Sequence, residues 1–453
     1  MLNSKRKRNI FVWLTYLCLL CACFWQDMIL PHICVYIIFF LCTYRLAKEY
    51  IKSSSLLLFE PLNFFLLNFF LIHGFGFFSY RTRSELGLTE YEHNYDLLIK
   101  ALFVSILALI LFQISFFIGS RGRSVFNHIT LVNKSANAKL QKRNWALFVM
   151  LIIFSYSLFW WLIGGVPILI PGFHDLERTD LGKGLGLVEA MCNTLLSLSA
   201  LFYLWKIKQN DRLDSFSILF FFCIILILTM NDARSMVIGY CISIVRIYYF
   251  CKKPLEARYY LVGAAFLVIF AGAIGIIRAG DSERNALRLG MEVSTEMSVE
   301  FDNYVESFNM RRDSKDLNGS TLVPIFTLPI PRAIFPDKDK YLTAGNYFKE
   351  YHDHSHIRVG ERLTFIGELL INWGLLGVFI GSIILGFLMA MIVCGTKQTD
   401  SLIKALLIIN FSVFPVGFIA GDIASNFVNF FMTNIWLIFY YYFKQYKRMT
   451  KYA

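Results

Sequence analysis

Four arginines stand at the ends of apolar segments or in the polar stretches beside them, where a charged side chain needs a partner. They are Arg234, Arg278, Arg332 and Arg358. A guanidinium group makes planar, two-point contacts with phosphate oxygens, and an unpaired charge deep in a membrane costs about 2.5 to 3.5 kcal/mol. Any one of these arginines is better explained by reaching the membrane surface or by pairing with a nearby acid. The four together instead favour an anionic ligand such as a diphosphate.

Groups suited to proton transfer lie on either side of Arg358. Glu368 is one turn inside an apolar run with Asn372 close by, and a carboxylate within a membrane segment indicates a functional site by default. His352, His354 and His356 precede that run, and in an extended strand they would share one face. Such a face could bind a metal, although a solvated histidine-rich loop explains the spacing better. One of these histidines is also a candidate general base for a sugar hydroxyl, because imidazole titrates near neutrality.

Long apolar runs must position these side chains. Of the 453 residues, 57% are hydrophobic and only 17% are charged, and runs of about 18 or more apolar residues can span a bilayer. The sequence therefore predicts an all-α, polytopic membrane helical bundle of about 12 transmembrane helices. The predicted spans are residues 9–25, 28–44, 55–78, 97–119, 145–163, 186–205, 215–230, 235–250, 259–277, 363–393, 402–420 and 424–443.

Two features of these spans have a second interpretation. Segments 215–230 and 235–250 are short, and they are also compatible with a helical hairpin that enters and leaves one face of the membrane. Residues 5–8 are basic and precede an apolar stretch, as in a secretory signal. Because another apolar run follows Asp27 and no good cleavage site is present, we expect an uncleaved first span.

The basic residues between the spans predict the orientation of the chain. Segment 120–144 carries several basic residues and no acid, whereas acids concentrate in the loops predicted on the opposite side. Basic loops stay in the cytoplasm, so both termini are expected inside and the long polar segment outside. The same distribution explains the net charge of +12 more simply than nucleic-acid binding does, and we expect no nucleic-acid partner.

One long polar segment, residues 278–361, divides the chain into three parts. Residues 1–277 hold the first nine predicted spans, and residues 362–453 hold the last three. Within the segment, apolar side chains at helical spacing over 283–310 predict an amphipathic helix that lies on the membrane surface or caps a cavity. Four prolines between 324 and 336 exclude a continuous helix there and predict an ordered loop or a re-entrant turn.

The ten cysteines all lie within apolar runs or at their ends. Cys18, Cys21 and Cys23 have a suggestive spacing, but no histidine or carboxylate accompanies them in the first span. Small, polarizable packing residues explain them best, and the sequence indicates neither a disulfide framework nor a zinc site.

Three short motifs lie between about residues 231 and 377. The first is Arg234 in an Asn-Asp-Ala-Arg-Ser turn that opens a span. The second is a Pro-Arg-x-x-Phe-Pro-x-Lys loop, preceded by Pro329 and made by Pro331, Arg332, Phe335, Pro336 and Lys338. The third is a helix start made by Thr364, Gly367, Glu368, Asn372, Gly374 and Gly377. Together with the many spans, these motifs resemble the oligosaccharide repeat-unit polymerases, or O-antigen polymerases of the Wzy type. The stretch 352–356 does not match that family's pattern.

The resemblance implies a membrane glycosyltransferase of the broad GT-C type. Such an enzyme transfers a growing glycan from one undecaprenyl diphosphate carrier to the terminal sugar of another carrier-linked unit, for surface polysaccharide or lipopolysaccharide biosynthesis. The four arginines would stabilise the diphosphate leaving group, and Glu368 or a nearby histidine would serve the acceptor hydroxyl. Asn372 and Lys338 are the candidate substrate-binding residues. Because the arginines can neutralise the diphosphate, we expect neither a metal nor a cofactor. The three glycines of the third motif also fit close helix packing.

The resemblance further implies a place in the bacterial inner membrane, with the long polar segment as a large periplasmic loop. Membrane lipids and a chain-length regulator protein are the expected partners. Two other functions stay open. An O-antigen ligase shares the same chemistry and differs in its acceptor. A lipid-linked oligosaccharide flippase or other transporter is also apolar, but it usually carries charges across several spans around a midplane cavity.

Overall fold

Helices make up most of the computed structural model of the chain. The structure describes residues 4–23, 28–53, 57–85, 93–125, 128–131, 138–167, 186–208, 214–230, 234–252, 263, 297–313, 317–330, 334–352, 362–395, 397–399 and 401–449. The helices in the first half are α1 (Ser4–Cys23), α2 (Ile29–Ser53), α3 (Pro61–Phe69), α4 (Gly76–Glu85), α5 (Tyr95–Ser120), α6 (Ala138–Leu162), α7 (Gly186–Lys208), α8 (Ser215–Met230) and α9 (Arg234–Cys251). Those in the second half are α10 (Met297–Asp313), α11 (Pro324–Thr327), α12 (Ala344–Tyr351), α13 (Phe365–Val393), α14 (Leu402–Gly417) and α15 (Ile423–Met449).

Two short strands are the departure from the all-α prediction. Strand β1 (Ile129–Leu131) pairs in parallel with β2 (Lys397–Thr399), and Thr130 lies opposite Gln398. Nearby, the carbonyl of Ser124 accepts a hydrogen bond of 3.0 Å from the Gly395 amide. These strands carry no signal in the sequence, because three-residue runs are too short for an alternating pattern. They join the connection after α5 to the connection after α13.

The long apolar helices confirm a membrane-embedded helical protein. Within the described residues, five helical segments are long and apolar enough to cross a bilayer, or six if the bent α15 counts as one span. The five are Ile29–Lys52, Pro61–Thr82, Tyr95–Ser120, Asn144–Leu162 and Phe365–Val393. Large apolar side chains such as Phe117, Trp161 and Leu376 are exposed along them, as expected for surfaces that face lipid. Five more of the predicted spans contain apolar helices of 10 to 17 residues, and the predicted span 259–277 lies outside the described residues apart from residue 263.

Two of the long helical segments are irregular, and both irregularities lie against α10. A six-residue π-helical turn, Phe70–Phe75, links α3 to α4. Helix α13 breaks at Gly374, whose φ of +66° and ψ of −157° are accessible almost only to glycine. Its first part therefore runs in a different direction from its lipid-facing second part. Leu369 of the first part reaches Gly381 of the second, where a Cβ would lie 2.3 Å from a leucine methyl carbon.

Helix α10 is the described part of the helix predicted over 283–310, and its position differs from the expectation. Phe301, Tyr304 and Val305 are fully buried, and the acidic Asp302 and Glu306 on the neighbouring face are buried as well. The helix packs against α4, α5 and α13 instead of lying on a surface. Periodicity identified the helix, but it could not show that both faces find protein partners.

The proline-rich stretch is built from short turns, as predicted. A 3₁₀ turn over Ser320–Leu322 leads into the four-residue α11, and a second 3₁₀ turn covers Pro336–Lys340. Proline stands at the first position of α11 and of the second 3₁₀ turn, where its missing N–H costs no hydrogen bond. Residues 331–333 between these turns lie outside the described residues.

Candidate functional site

Helix α10 carries polar side chains on two adjacent faces. Asn303, Ser307 and Arg311 are spaced four residues apart and face α13: Asn303 donates to the Arg362 carbonyl (3.2 Å), and Arg311 donates to the Ile371 carbonyl at 3.5 Å. One position earlier along the helix, Asp302 and Glu306 share the next face. The second of these faces belongs to a polar cluster around Glu306, and a separate polar cluster surrounds Glu368 at the start of α13.

The first cluster, here called the Glu368 cluster, surrounds the carboxylate that the sequence placed inside a membrane segment. Glu368 is 0% exposed. Its Oε1 accepts a hydrogen bond from the Thr321 hydroxyl (2.7 Å), and its Oε2 accepts one from the Ile423 backbone N–H (2.5 Å). Both carboxylate oxygens are thus occupied by donors of the chain, so Glu368 ties the 3₁₀ turn and the start of α15 to the start of α13.

Asn372 completes the Glu368 cluster one turn further along α13. Its Nδ2 donates to the Thr321 hydroxyl and to the Glu368 carbonyl, both at 2.8 Å, and its Oδ1 accepts from the Gly319 N–H at 2.9 Å. Asn372 is also 0% exposed. Because the Thr321 oxygen accepts from Asn372, its own proton is directed at Glu368. The hydrogen bonds therefore form one chain from Asn372 through Thr321 to Glu368.

Local backbone features hold this cluster in place. The Thr364 side chain caps α13 by accepting from the Gly367 N–H at 3.2 Å, and Glu368 lies in the first turn, where the helix dipole favours a negative charge. Gly319 has a φ of +85°, and a Cβ there would lie 2.7 Å from the Trp373 ring. A residue other than glycine would strain this turn and displace the tryptophan.

A second acid stands beside the Glu368 cluster. Asp422 caps α15 by accepting from the Ser425 N–H at 2.7 Å. Burial raises the pKa of Asp422, and Arg362 counteracts this electrostatically. Two carboxylates therefore meet where α13, α14 and α15 come together. The Phe365 N–H donates to the Phe418 carbonyl at 3.0 Å and joins the beginning of α13 to the end of α14.

The second cluster, here called the Glu306 cluster, holds two imidazoles and two carboxylates. His93 Nε2 lies 2.6 Å from Asp302 Oδ1, and His93 Nδ1 lies 3.7 Å from Glu306 Oε2. His352 Nε2 lies 3.7 Å from the other oxygen of Glu306, Oε1. Asn309 donates to Glu306 Oε2 at 2.8 Å. The pKa of Glu306 is raised above its ordinary value, mainly by burial. The Asn309 hydrogen bond and the nearby His93 offset only part of this shift.

The Glu306 cluster is open on the side of His352. The His352 side chain is 14% exposed, whereas that of His93 is 0% exposed. The Tyr351 hydroxyl donates to Asp313 at 3.1 Å, and Arg312 lies 2.8 Å from the same carboxylate. The hydrogen bond from Arg312 lowers the pKa of Asp313. This accessible rim of mixed charge can hold a polar ligand beside the His352 ring.

Lys338 of the proline-rich motif shapes the loop that precedes it. Its ammonium group donates to the carbonyls of Leu328 (3.3 Å) and Ile330 (2.9 Å). The ring of Phe335 stacks on Tyr341 with centroids 5.9 Å apart. Lys338, which follows Arg332 in the chain, thus binds the backbone that precedes Arg332. Its described hydrogen bonds are made to backbone carbonyls of the chain itself.

Several of the predicted site residues lie outside the described residues. These are Arg278, Arg332, Arg358, His354 and His356. Arg234 begins α9, as the sequence predicted for the turn that opens a span, but its side chain is likewise outside the description. The predicted diphosphate clamp therefore remains a prediction. Comparisons with family models, curated proteins and solved structures find no match to this chain.

Among the described residues, no group of three or more His, Cys, Asp or Glu side chains has an arrangement suited to a metal ion. The carboxylates and imidazoles of the two clusters are groups suited to proton transfer and hydrogen bonding. The sequence predicts both Glu368 and His352 as candidate bases, but they differ in accessibility. Hydrogen-bond donors enclose the Glu368 carboxylate, whereas the His352 ring is partly exposed.

Sequence reasoning missed His93, Asp302, Glu306 and Thr321 as site residues. Asp302 and Glu306 did carry a signal, because two acids four residues apart in one amphipathic helix share a face. His93 and Thr321 carried none. They lie in short polar stretches far along the chain from their partners, and only the packing of α10 and α13 brings them into the clusters.

Proposed function

We propose that this chain is a membrane glycosyltransferase that polymerises undecaprenyl diphosphate-linked oligosaccharide repeat units. The growing glycan leaves its own carrier and joins the terminal sugar of a new carrier-linked unit. The reaction takes place at the periplasmic face of a bacterial inner membrane, with both termini in the cytoplasm. In this proposal the chain has about twelve spans in a GT-C-like arrangement.

One observation supports the proposal most. Residues of the two motifs around the proline-rich stretch, which resemble those of the repeat-unit polymerases, belong to one connected structure. Glu368 and Asn372 bind the 3₁₀ turn that leads into the proline-rich stretch, and Lys338 binds the carbonyls just before Arg332. The loop that carries the motif arginine is therefore anchored to the start of α13.

The chemistry follows from the bonds that change. The acceptor oxygen attacks the anomeric carbon, the bond from that carbon to the diphosphate oxygen breaks, and the electron pair leaves with the diphosphate. Arg234, Arg278, Arg332 and Arg358 stabilise the charge that builds up on the leaving group. Loss of one such preorganised contact typically lowers the rate by about 10²- to 10³-fold. The hydroxyl proton passes to a base of the enzyme.

The first test is the analysis of lipid-linked glycans in cells that lack the protein. Accumulation of carriers with a single repeat unit is the expected result. Long carrier-linked chains would indicate a ligase instead, and units retained on the inner leaflet would indicate a flippase. Either of these two outcomes contradicts the proposal.

The second test concerns the diphosphate. We expect that Arg332→Ala and Arg278→Ala each abolish long chains while the amount of protein in the membrane stays unchanged. Lys340→Ala is the matched control, because Lys340 lies in the same proline-rich stretch but is 74% exposed and pairs with Asp337 at 2.9 Å. Chain length is read by gel electrophoresis of the glycan. Wild-type chain length in both arginine variants would remove these arginines from the mechanism.

A further inference from the structure

Glu306 occupies an unusual position between two imidazoles. Each of its oxygens faces a different histidine at 3.7 Å, His93 on one side and His352 on the other. Asp302 lies one helical turn away and contacts the far side of His93 at 2.6 Å. The order Asp302, His93, Glu306, His352 leads from the interior of the protein to its accessible rim.

The Glu306 carboxylate lies where it can stabilise a positive charge that forms on the His352 ring during the reaction. Burial raises the pKa of Glu306, which means that its ionised form is poorly stabilised where it lies. A positive charge on His352 would compensate the Glu306 carboxylate, since opposite charges attract strongly where water is scarce. Among the described residues, the other titratable groups around Glu306 are Asp302 and Asp313 on α10, Arg312 at its end, His93 before α5 and Tyr351 on α12.

His352 is also the imidazole that a substrate can reach. It follows the last residue of α12, and its ring contacts those of Phe348 (4.8 Å) and Tyr351 (4.7 Å) between centroids, which limits its orientation. Hydrogen bonds between a catalytic base and its orienting carboxylate are often long in the absence of substrate. A distance of 3.7 Å is therefore compatible with contact during the reaction.

We propose that Glu306 is a positioning residue that orients His352 and stabilises its protonated ring while His352 acts as the general base of glycosyl transfer. The inference rests on the proposed function. Nε2 of His352 faces Glu306, and Nδ1 accepts the proton as the acceptor O–H bond breaks and the new glycosidic C–O bond forms. The electron pair of the broken anomeric C–O bond leaves with the diphosphate. A carboxylate, an imidazole and a hydroxyl in series is a recurrent solution for activating a hydroxyl.

The alternative is that the Glu306 cluster only joins α10 to α12 and to the start of α5. A structural role affects the amount and stability of folded protein. A positioning role changes the turnover number, its pH dependence and its coupling to His352. These measurements separate the two roles.

The experiment uses the full chain in lipid nanodiscs. Its substrate is the lipid-linked repeat unit extracted from cells that lack the protein. We expect Glu306→Gln to lower kcat by about 10²-fold without raising KM, and His352→Gln to lower it by at least as much. The double variant should be no slower than His352→Gln alone, because Glu306 acts through His352. Glu350→Gln is the matched control: it removes an exposed carboxylate on α12, two residues before His352.

The pH dependence gives an independent readout. Activity requires an unprotonated His352, so the rate falls on the acidic side. Without the Glu306 carboxylate, the protonated ring loses its stabilisation, and the acidic limb of the profile should move to lower pH in Glu306→Gln. In Glu350→Gln it should stay in place. If Glu306→Gln is absent from the membrane, Glu306→Asp, which keeps the charge but withdraws it from His352, should give an intermediate rate.

Three results would overturn the inference while the proposed function stands. They are wild-type kcat in His352→Gln, a multiplicative loss of about 10⁴-fold in the double variant, and an unshifted pH profile in Glu306→Gln. A wild-type protein that does not extend the carrier-linked unit at all would instead contradict the proposed function itself.

Discussion

Two buried glutamates of this molecule, Glu368 and Glu306, are held in opposite ways. Each oxygen of Glu368 accepts a hydrogen bond from a donor with no charge of its own, the Thr321 hydroxyl and the Ile423 N–H. Glu306 accepts one from Asn309 and otherwise faces two imidazoles at 3.7 Å. Glu306 lies on α10, which packs against α13, the helix that carries Glu368. The same residue type is thus enclosed in one place and exposed to a titratable partner in the other.

This difference indicates that one cluster has a structural role and the other a chemical role. A buried polar network whose groups are all satisfied makes a structure rigid and specifies one arrangement. A buried charge that lacks full compensation lowers stability, and such groups concentrate where a protein carries out its chemistry. By this argument the Glu368 cluster positions the motif loop, and the Glu306 cluster is the better candidate for proton transfer. The following predictions test that division.

The largest effect on stability is expected at Asn372. Asn372→Ala would remove all three side-chain hydrogen bonds and leave the Gly319 N–H without its buried acceptor, at a cost of about 3 kcal/mol or more. Thermal unfolding in detergent measures the loss. Asn346→Ala, at an exposed position of α12, is the control and should unfold like the wild type. Equal stability of the two variants would show that the Glu368 cluster does not stabilise the fold.

A smaller loss is expected for Glu368→Gln. The amide keeps one acceptor oxygen but turns an NH₂ group toward a donor, and the Ile423 backbone N–H cannot reverse its direction. One unsatisfied buried donor costs about 1 to 3 kcal/mol. The turnover number of the protein that remains folded should stay close to that of the wild type. A variant of normal stability with a strongly reduced kcat would instead identify Glu368 as the base and reverse the division drawn above.

Much of this architecture follows from the sequence because it depends on long apolar runs. The membrane-spanning α5 and α13, the start of α9 at Arg234 and the broken proline-rich stretch all agree with the sequence analysis. These features are local: a run of apolar residues or a cluster of prolines acts on its own segment.

The clusters themselves were only partly predictable. The sequence identified Glu368, Asn372 and His352 as unusual residues, because polar groups beside apolar runs need partners. It could not identify the partners, since Thr321 and His93 are distant along the chain. The break in α13 was equally hidden. Gly374 fits a close-packing pattern as well as it fits a backbone conformation with positive φ, and only the fold distinguishes them.

The smallest expected effect has the opposite sign from the first two and concerns the stability of Glu306→Gln. Burial raises the pKa of Glu306 in the folded protein above its ordinary value of 4.5. The carboxyl group therefore favours the folded state while it is protonated, and that contribution is lost as the pH rises through the folded-state pKa. Glutamine stays neutral at every pH and can still accept from Asn309. At pH 8 the variant should be more stable than the wild type by about 1 kcal/mol, the usual size of a single-site effect.

The gain in Glu306→Gln should shrink when thermal unfolding is repeated near pH 4, below the ordinary pKa of 4.5, where the carboxyl group is mostly protonated in both the folded and the unfolded wild type. Asp337→Asn is the control, because that acid is 65% exposed and its variant should show no such pH-dependent gain. If Glu306→Gln is instead less stable than the wild type at pH 8, then Glu306 is stabilised by its surroundings as fully as Glu368. The contrast between the two glutamates would then be lost. A variant that is more stable and yet slower would show that the molecule retains a destabilising carboxylate for the sake of His352.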